Sequence, residues 1–161
     1  MMKWTEMLNG LINNNSFLAR FLAFGWLVIV TGCARDTVRV TGVVLRIRGN
    51  QMPSPDLPDP VYPGFKTTIY FYQPLTAASA RPVGQGGMFS LVNGQLAGTA
   101  ASNDQGTFKI RLKPGRYSVL IGNDGLYYAN IRDGSGVLNP VEIPKGKSLQ
   151  LRLRADWDAT Y

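Results

Sequence analysis

Asn103-Asp104-Gln105-Gly106-Thr107-Phe108-Lys109-Ile110-Arg111-Leu112-Lys113-Pro114-Gly115-Arg116-Tyr117-Ser118-Val119 decides how the rest of the chain is read. Phe108, Ile110 and Leu112 alternate with Lys109 and Arg111, the period-two pattern of a strand with one apolar and one wet face. Gly106 stands where the preceding turn needs a positive φ. Pro114-Gly115 fits the centre of a type II turn, with Pro fixing φ near −65° and Gly supplying the left-handed residue. A strand bounded by two such turns is the unit of an all-β domain, and the same unit recurs in both directions along the chain.

Outward from this stretch, strands are expected at 38–48, 66–73, 88–92, 95–102, 117–121, 126–132, 138–143 and 149–154, with almost no helical periodicity between them. In 38–48 the apolar set passes from Val38 and Val40 to Val43, Leu45 and Ile47, which predicts a β-bulge at Gly42. Asn93-Gly94 is the strongest two-residue hairpin signal, joining 88–92 to 95–102. Asn123-Asp124-Gly125, Asp133-Gly134-Ser135-Gly136 and Lys145-Gly146 read as further turns. The predicted core is Phe108, Ile110, Tyr117, Val119, Leu149, Leu151 and Leu153, with Gln150, Arg152 and Arg154 facing out. Two connections are long. Residues 49–64 hold Pro53, Pro55, Pro58, Pro60 and Pro63, which favours an extended polyproline-like loop, and 74–87 is rich in Gly and Ala with room for a short helical turn at 76–80. Any recognition surface is expected in these two insertions, where long loops in a compact domain carry function.

Val40-Thr41-Gly42-Val43-Val44, Asp104-Gln105-Gly106-Thr107-Phe108 and Lys113-Pro114-Gly115-Arg116-Tyr117-Ser118-Val119 together resemble the carboxypeptidase regulatory-like domain. The resemblance is best over 99–121 and leaves the end of the chain without a matched motif. It implies a single seven-stranded Greek-key β-sandwich of the transthyretin-like (prealbumin-like) kind. It also implies an accessory or binding module of an exported protein, without catalytic residues of its own.

Val30-Thr31-Gly32-Cys33 follows the uncharged run from Phe21 to Val30, with Lys3 and Arg20 on its N-terminal side, and resembles the lipobox of bacterial lipoproteins. The run is shorter than the ~20 apolar residues that span a bilayer, so it reads as an export signal. The expected organisation is a signal peptide at 1–32, lipidated Cys33 with a short tether at 33–37, and one β-sandwich at 38–161. The resemblance implies a membrane-lipid anchor through Cys33 in a bacterial cell envelope, and Ala34 after the Cys favours the outer membrane.

The chain carries 17 basic and 10 acidic residues, a net charge of +7. Arg35, Arg39, Arg46, Arg48, Arg111, Lys113, Arg116, Arg152 and Arg154 are spread at strand-like spacing, which suits a wet sheet face near anionic lipid or polysaccharide better than a nucleic-acid stripe. There is no histidine, and the lipobox resemblance implies that the single Cys is committed to lipid. Conventional zinc or iron sites and Ser-His-Asp or Cys-His nucleophiles are excluded by this composition. Of the carboxylates, Asp156 and Asp158 bracket Trp157, Asp124 and Asp133 sit in turns, and Asp56 and Asp59 lie in the Pro-rich loop; turn chemistry accounts for them. Asn123, Asp124, Asp133 and Ser135 match no dedicated calcium loop. The expectation is a non-enzymatic module without cofactor or metal, binding an envelope protein or a surface polymer. The alternative is a carbohydrate-binding module stacking sugars on exposed aromatics. Candidate contacts are Leu57, Val61, Tyr62, Phe65, Tyr128, Trp157 and Tyr161.

Overall fold

A computed structural model describes residues 36–52 and 60–161. Cys33, the signal segment at 1–32 and Leu57 lie outside the described residues. The rest is all-β, in the order β1 (Val38–Asn50), β2 (Thr68–Tyr72), β3 (Ala80–Pro82), β4 (Met88–Val92), β5 (Leu96–Ala101), β6 (Thr107–Leu112), β7 (Gly115–Asn123), β8 (Leu126–Tyr128), β9 (Pro140–Ile143) and β10 (Leu149–Thr160). These ten strands exceed the seven that the family resemblance implies; nine lie where the alternation places strands, and β3, from the connection at 74–87, is the addition. They form two sheets in a sandwich-like arrangement. One is three-stranded in the order β10-β1-β6; the other runs β3-β4-β8-β7-β2-β5, with β9 beside the first half of β7.

The core between the sheets is built from the alternation read in the sequence. Val40 and Val44 of β1, Ile69 and Phe71 of β2, Phe108 of β6 and Val119 and Ile121 of β7 are buried together. Ile110, Leu149, Leu151, Leu153 and Trp157 pack against this cluster and are partly buried. A second apolar cluster, Tyr72, Leu75, Phe89, Leu120, Ala129 and Leu138, lies on the other face of the larger sheet. Residues 117–121 are therefore buried on both faces. The segment after β2 closes this second core: Leu75 donates its N–H to Ser118 Oγ at 2.9 Å and accepts from Leu138 N at 2.8 Å. The reading of 74–87 as an insertion is thus corrected in part: Leu75 covers a sheet face and Ala80–Pro82 add a strand, with a 3-10 turn at Ala77–Ser79, whereas residues 81–86 are exposed.

Three local expectations are also corrected. The β1 register runs unbroken through Gly42; it breaks between Arg46 and Arg48, where Asp156 and Trp157 of β10 together oppose Ile47. Gly42 is small for another reason: a Cβ there would lie 2.6 Å from Phe108 Cζ. Asn93-Gly94 joins no hairpin, since β4 pairs with β3 and β8 while β5 pairs with β2. Gly94 sits where a Cβ would meet Leu75 Cδ2 at 2.3 Å. The two-residue hairpin is Asp124-Gly125 instead, with φ of 47° and 80° and Asn123 opposite Leu126, as a type I′ turn requires. Gly115 has the anticipated positive φ, but at 147° it opens β7, away from the type II value of about +80°.

The far end of the Pro-rich loop is part of the fold. Arg46 N–H donates to Pro63 O and Phe65 N–H to Val44 O, both at 2.9 Å, so residues 63–65 continue along β1 where β6 stops.

Candidate ligand cleft beside the last strand

β10 pairs with β1 along one side only, and β9 pairs with β7 only, so among the described residues two strand edges face each other across the open side of the sandwich. Between them lies a cleft of about 460 Å³. Val119, Ile121, Val141, Leu151 and Leu153 give it an apolar lining, and Asn130, Ile131, Arg152, Arg154 and Tyr161 a mostly polar rim. The half-burial of Leu151 and Leu153 has its cause here: their inner faces touch the core and their outer faces line the cleft.

One end of the cleft is shut by a polar cluster that the bulge in β10 creates. The extra residue turns Ala155 and Asp156 successively inward, leaving Asp156 6% exposed. Its Oδ1 accepts from Tyr128 Oη at 2.6 Å and from Asn130 Nδ2 at 2.9 Å, and its Oδ2 accepts from Tyr161 Oη at 2.5 Å. Arg154 Nε stands 3.7 Å from the same oxygen, and Arg154 Nη2 donates to the Tyr161 hydroxyl. A buried carboxylate is tolerated only when paired and hydrogen-bonded, and this one is held from three elements. Burial, reinforced by the hydrogen bond to Asp156, pushes the Tyr128 hydroxyl far above its ordinary range. Tyr161 is raised for the same reasons in the same order.

Beside this cluster, the Arg46 guanidinium lies 4.0 Å from the Trp157 ring centre and 5.0 Å from that of Phe65, and is ion-paired to Asp158. The Trp157 ring meets Tyr128 and Phe65 edge-on at 4.9 and 5.6 Å. Stacking of this kind is worth about 1–2 kcal/mol where the cation is desolvated, and Arg46 is nearly so, with its Nε buried and without a hydrogen-bond acceptor among the described residues.

The structure thus gathers four of the expected contact residues, Phe65, Tyr128, Trp157 and Tyr161, at one end of β10. It alters their roles. Tyr128 is buried, so its ring supports the cleft from within and is not a surface contact. Trp157 is covered by Arg46 and braced by two aromatics, whereas Tyr161 is 61% exposed. Tyr62 stands apart, donating to Gln51 Oε1, and Val61 is 95% exposed. Asn130, Asp156, Arg46 and the cleft-lining Val141 and Leu153 were not singled out as site residues. Asp156 reads as a turn acid because nothing local marks the bulge, and Asn130 carries no sequence signal for its partner 26 residues away.

Comparison with protein-family models, with curated proteins and with solved structures returns no significant match to this chain.

Proposed function

We propose that this chain is a non-enzymatic binding module of a bacterial cell envelope, anchored by lipid on Cys33 at the outer membrane, and that the cleft beside β10 receives its partner, an envelope protein. The single observation that carries the binding reading is the cleft itself: an apolar lining between two strand edges, a mostly polar rim, and a rigid polar cluster at one end. Pockets of this make-up are the usual place for ligands. Asp156 is held by three neutral donors and the Arg154 guanidinium and locks the end of β10, which favours a structural task over acid–base work. The finer reading of the fold, a transthyretin-like Greek-key sandwich, is supported by the burial of Phe108 and Tyr117 and by the Asn103–Gly106 turn, which carries the chain from one sheet to the other. For the carbohydrate-binding alternative, Tyr161 is the aromatic of this cluster that stays open to solvent.

A photo-crosslinking side chain at Ile131, on the rim, tests the site against the same group at Leu91, which is exposed outside the cleft. The expected result is a specific adduct from position 131 in intact envelopes and none from position 91. Equal labelling from both would remove the cleft from the proposal. Palmitate incorporation lost in Cys33→Ser tests the anchor separately, glycan binding lost in Tyr161→Ala would favour the sugar reading, and turnover of any substrate would overturn the non-enzymatic assignment.

A further inference from the structure

Strand pairing collects the scattered cations of the sequence onto one surface. In the three-stranded sheet, Arg39 of β1 lies directly opposite Arg111 of β6, Thr41 opposite both Lys109 and Gln150, Val43 opposite Thr107 and Arg152, and Leu45 opposite Arg154. Paired residues share a sheet face, and the residues between them, Val38, Val40 and Val44, are buried; on the outward side Leu45 is covered as well, so the open part of the face runs from Arg39 to Val43. The outward face therefore carries Arg39, Lys109, Arg111, Arg152 and Arg154 and no carboxylate at any of these paired positions.

Two further observations separate this face from an ordinary wet surface. The ion pairs among the described residues engage Arg46, Arg48, Lys66, Arg116, Lys145 and Arg154; Arg39, Lys109, Arg111 and Arg152 are exposed and form none there, and unlike the equally unpaired Arg81, Lys113, Arg132 and Lys147 they share one face of three adjacent strands. Arg39 and Arg111 are directly opposed like charges, an arrangement that destabilises a sheet and that an anion on the face would relieve. The three strands span roughly 10 Å, about one Debye length at physiological salt, so the charges act on a ligand as one field.

We propose that this face docks on the headgroups of an anionic phospholipid bilayer. Charge complementarity names the partner. Arg39 lies six residues after Cys33, a reach of at most about 20 Å of extended chain, so an anchor at Cys33 would hold the face within range of headgroups. The proposal rests on the envelope reading for its location only; the attraction itself needs no acyl chain.

The test is co-sedimentation of the full-length protein with phosphatidylcholine vesicles, with and without phosphatidylglycerol. Retention on neutral vesicles reports the anchor, and the additional retention caused by phosphatidylglycerol reports the face. That increment should vanish in high salt, whereas insertion of an acyl chain persists. Arg39→Gln/Arg111→Gln should lower the increment roughly twenty-five-fold, at about fivefold per cation near an anionic surface. Arg81→Gln/Arg132→Gln, which removes the same charge from two exposed cations of the other sheet's side, should leave it nearly unchanged. The Arg39 and Arg111 variants should also be slightly more stable in solution, so binding and stability move in opposite directions. Equal loss in both double variants would reduce the effect to net charge and overturn the proposal. So would retained phosphatidylglycerol binding in the face variant, or an effect of that variant confined to a soluble polyanion such as heparin.

Discussion

The ring of Phe108 on β6 lies against the backbone of Gly42, its directly opposed partner on β1, and takes the space a side chain there would need. A Cβ at position 42 would also lie 2.6 Å from Leu151 O on β10, so the glycine is confined from both neighbouring strands. Gly42→Ala should cost about 1–3 kcal/mol by overpacking, and Phe108→Ala about 3–5 kcal/mol by leaving a cavity. Denaturant melts of the double variant should show less than the sum, because removing the ring frees one of the two contacts; strict additivity would place the ring elsewhere.

At Asp124-Gly125 the requirement is conformational and not steric, since nothing lies within 4 Å of a Cβ at Gly125. Gly125→Val should destabilise by about 1–2 kcal/mol through its φ of 80° alone, and Gly125→Asn by much less, because Asn tolerates the left-handed region. Gly94→Ala acts differently: its cost comes from contact with Leu75 and should fall in a Leu75→Ala background. Thermal melts of the four variants separate the two mechanisms.

Asp156→Ala strands the Tyr128 hydroxyl in a buried site and removes the acceptor of the exposed Asn130 amide. The expected loss is about 2–4 kcal/mol, with Asp156→Asn losing less because it keeps an acceptor for Tyr128. Amide hydrogen exchange should show the opening confined to the end of β10 and residues 126–131. Uniform loss of protection would mean that the cluster holds the whole sandwich.

Two buried tyrosines set an alkaline limit on stability. Burial, then the hydrogen bond to Tyr127, raises Tyr72 from 10.0 to about 12, and burial followed by Asp156 raises Tyr128 further. A phenol raised on folding contributes stability that is fully present below pH 10, the unfolded value, and is lost as the pH climbs through the folded value. Denaturation midpoints should therefore be flat with respect to these groups up to about pH 10 and fall between pH 10 and 12. Tyr72→Phe should soften that fall, with tyrosinate absorbance appearing together with unfolding.

How much of this could be read from the chain follows from the range of each interaction. Period-two alternation is local, so Thr107–Leu112 and the inward Leu149, Leu151 and Leu153 were legible from composition and order alone. Asn93-Gly94 and Asp124-Gly125 carry nearly the same local chemistry, and only the second is a hairpin. The choice is made by what the flanking strands pair with, which no dipeptide encodes. The second core was illegible for a similar reason: 74–87 has no periodicity, because Leu75 reaches the sheet from an irregular segment. At the site, the aromatics announced themselves by type. Their assembly waited on one inserted residue opposite Ile47, a displacement visible only once β1 and β10 are aligned.

The parallel pairing of β1 with β10 also ties the timing of folding to the order of synthesis. Arg46 finds its ion-pair partner Asp158 after an interval of 112 residues. The strand that begins the sandwich therefore exposes a long, partly apolar edge until almost the whole domain has left the ribosome. Contacts this distant in sequence slow closure, toward milliseconds to seconds for β-rich domains. A nascent chain of this topology cannot complete its smaller sheet early, so β1 waits for its parallel partner and the sandwich closes only when β10 has emerged.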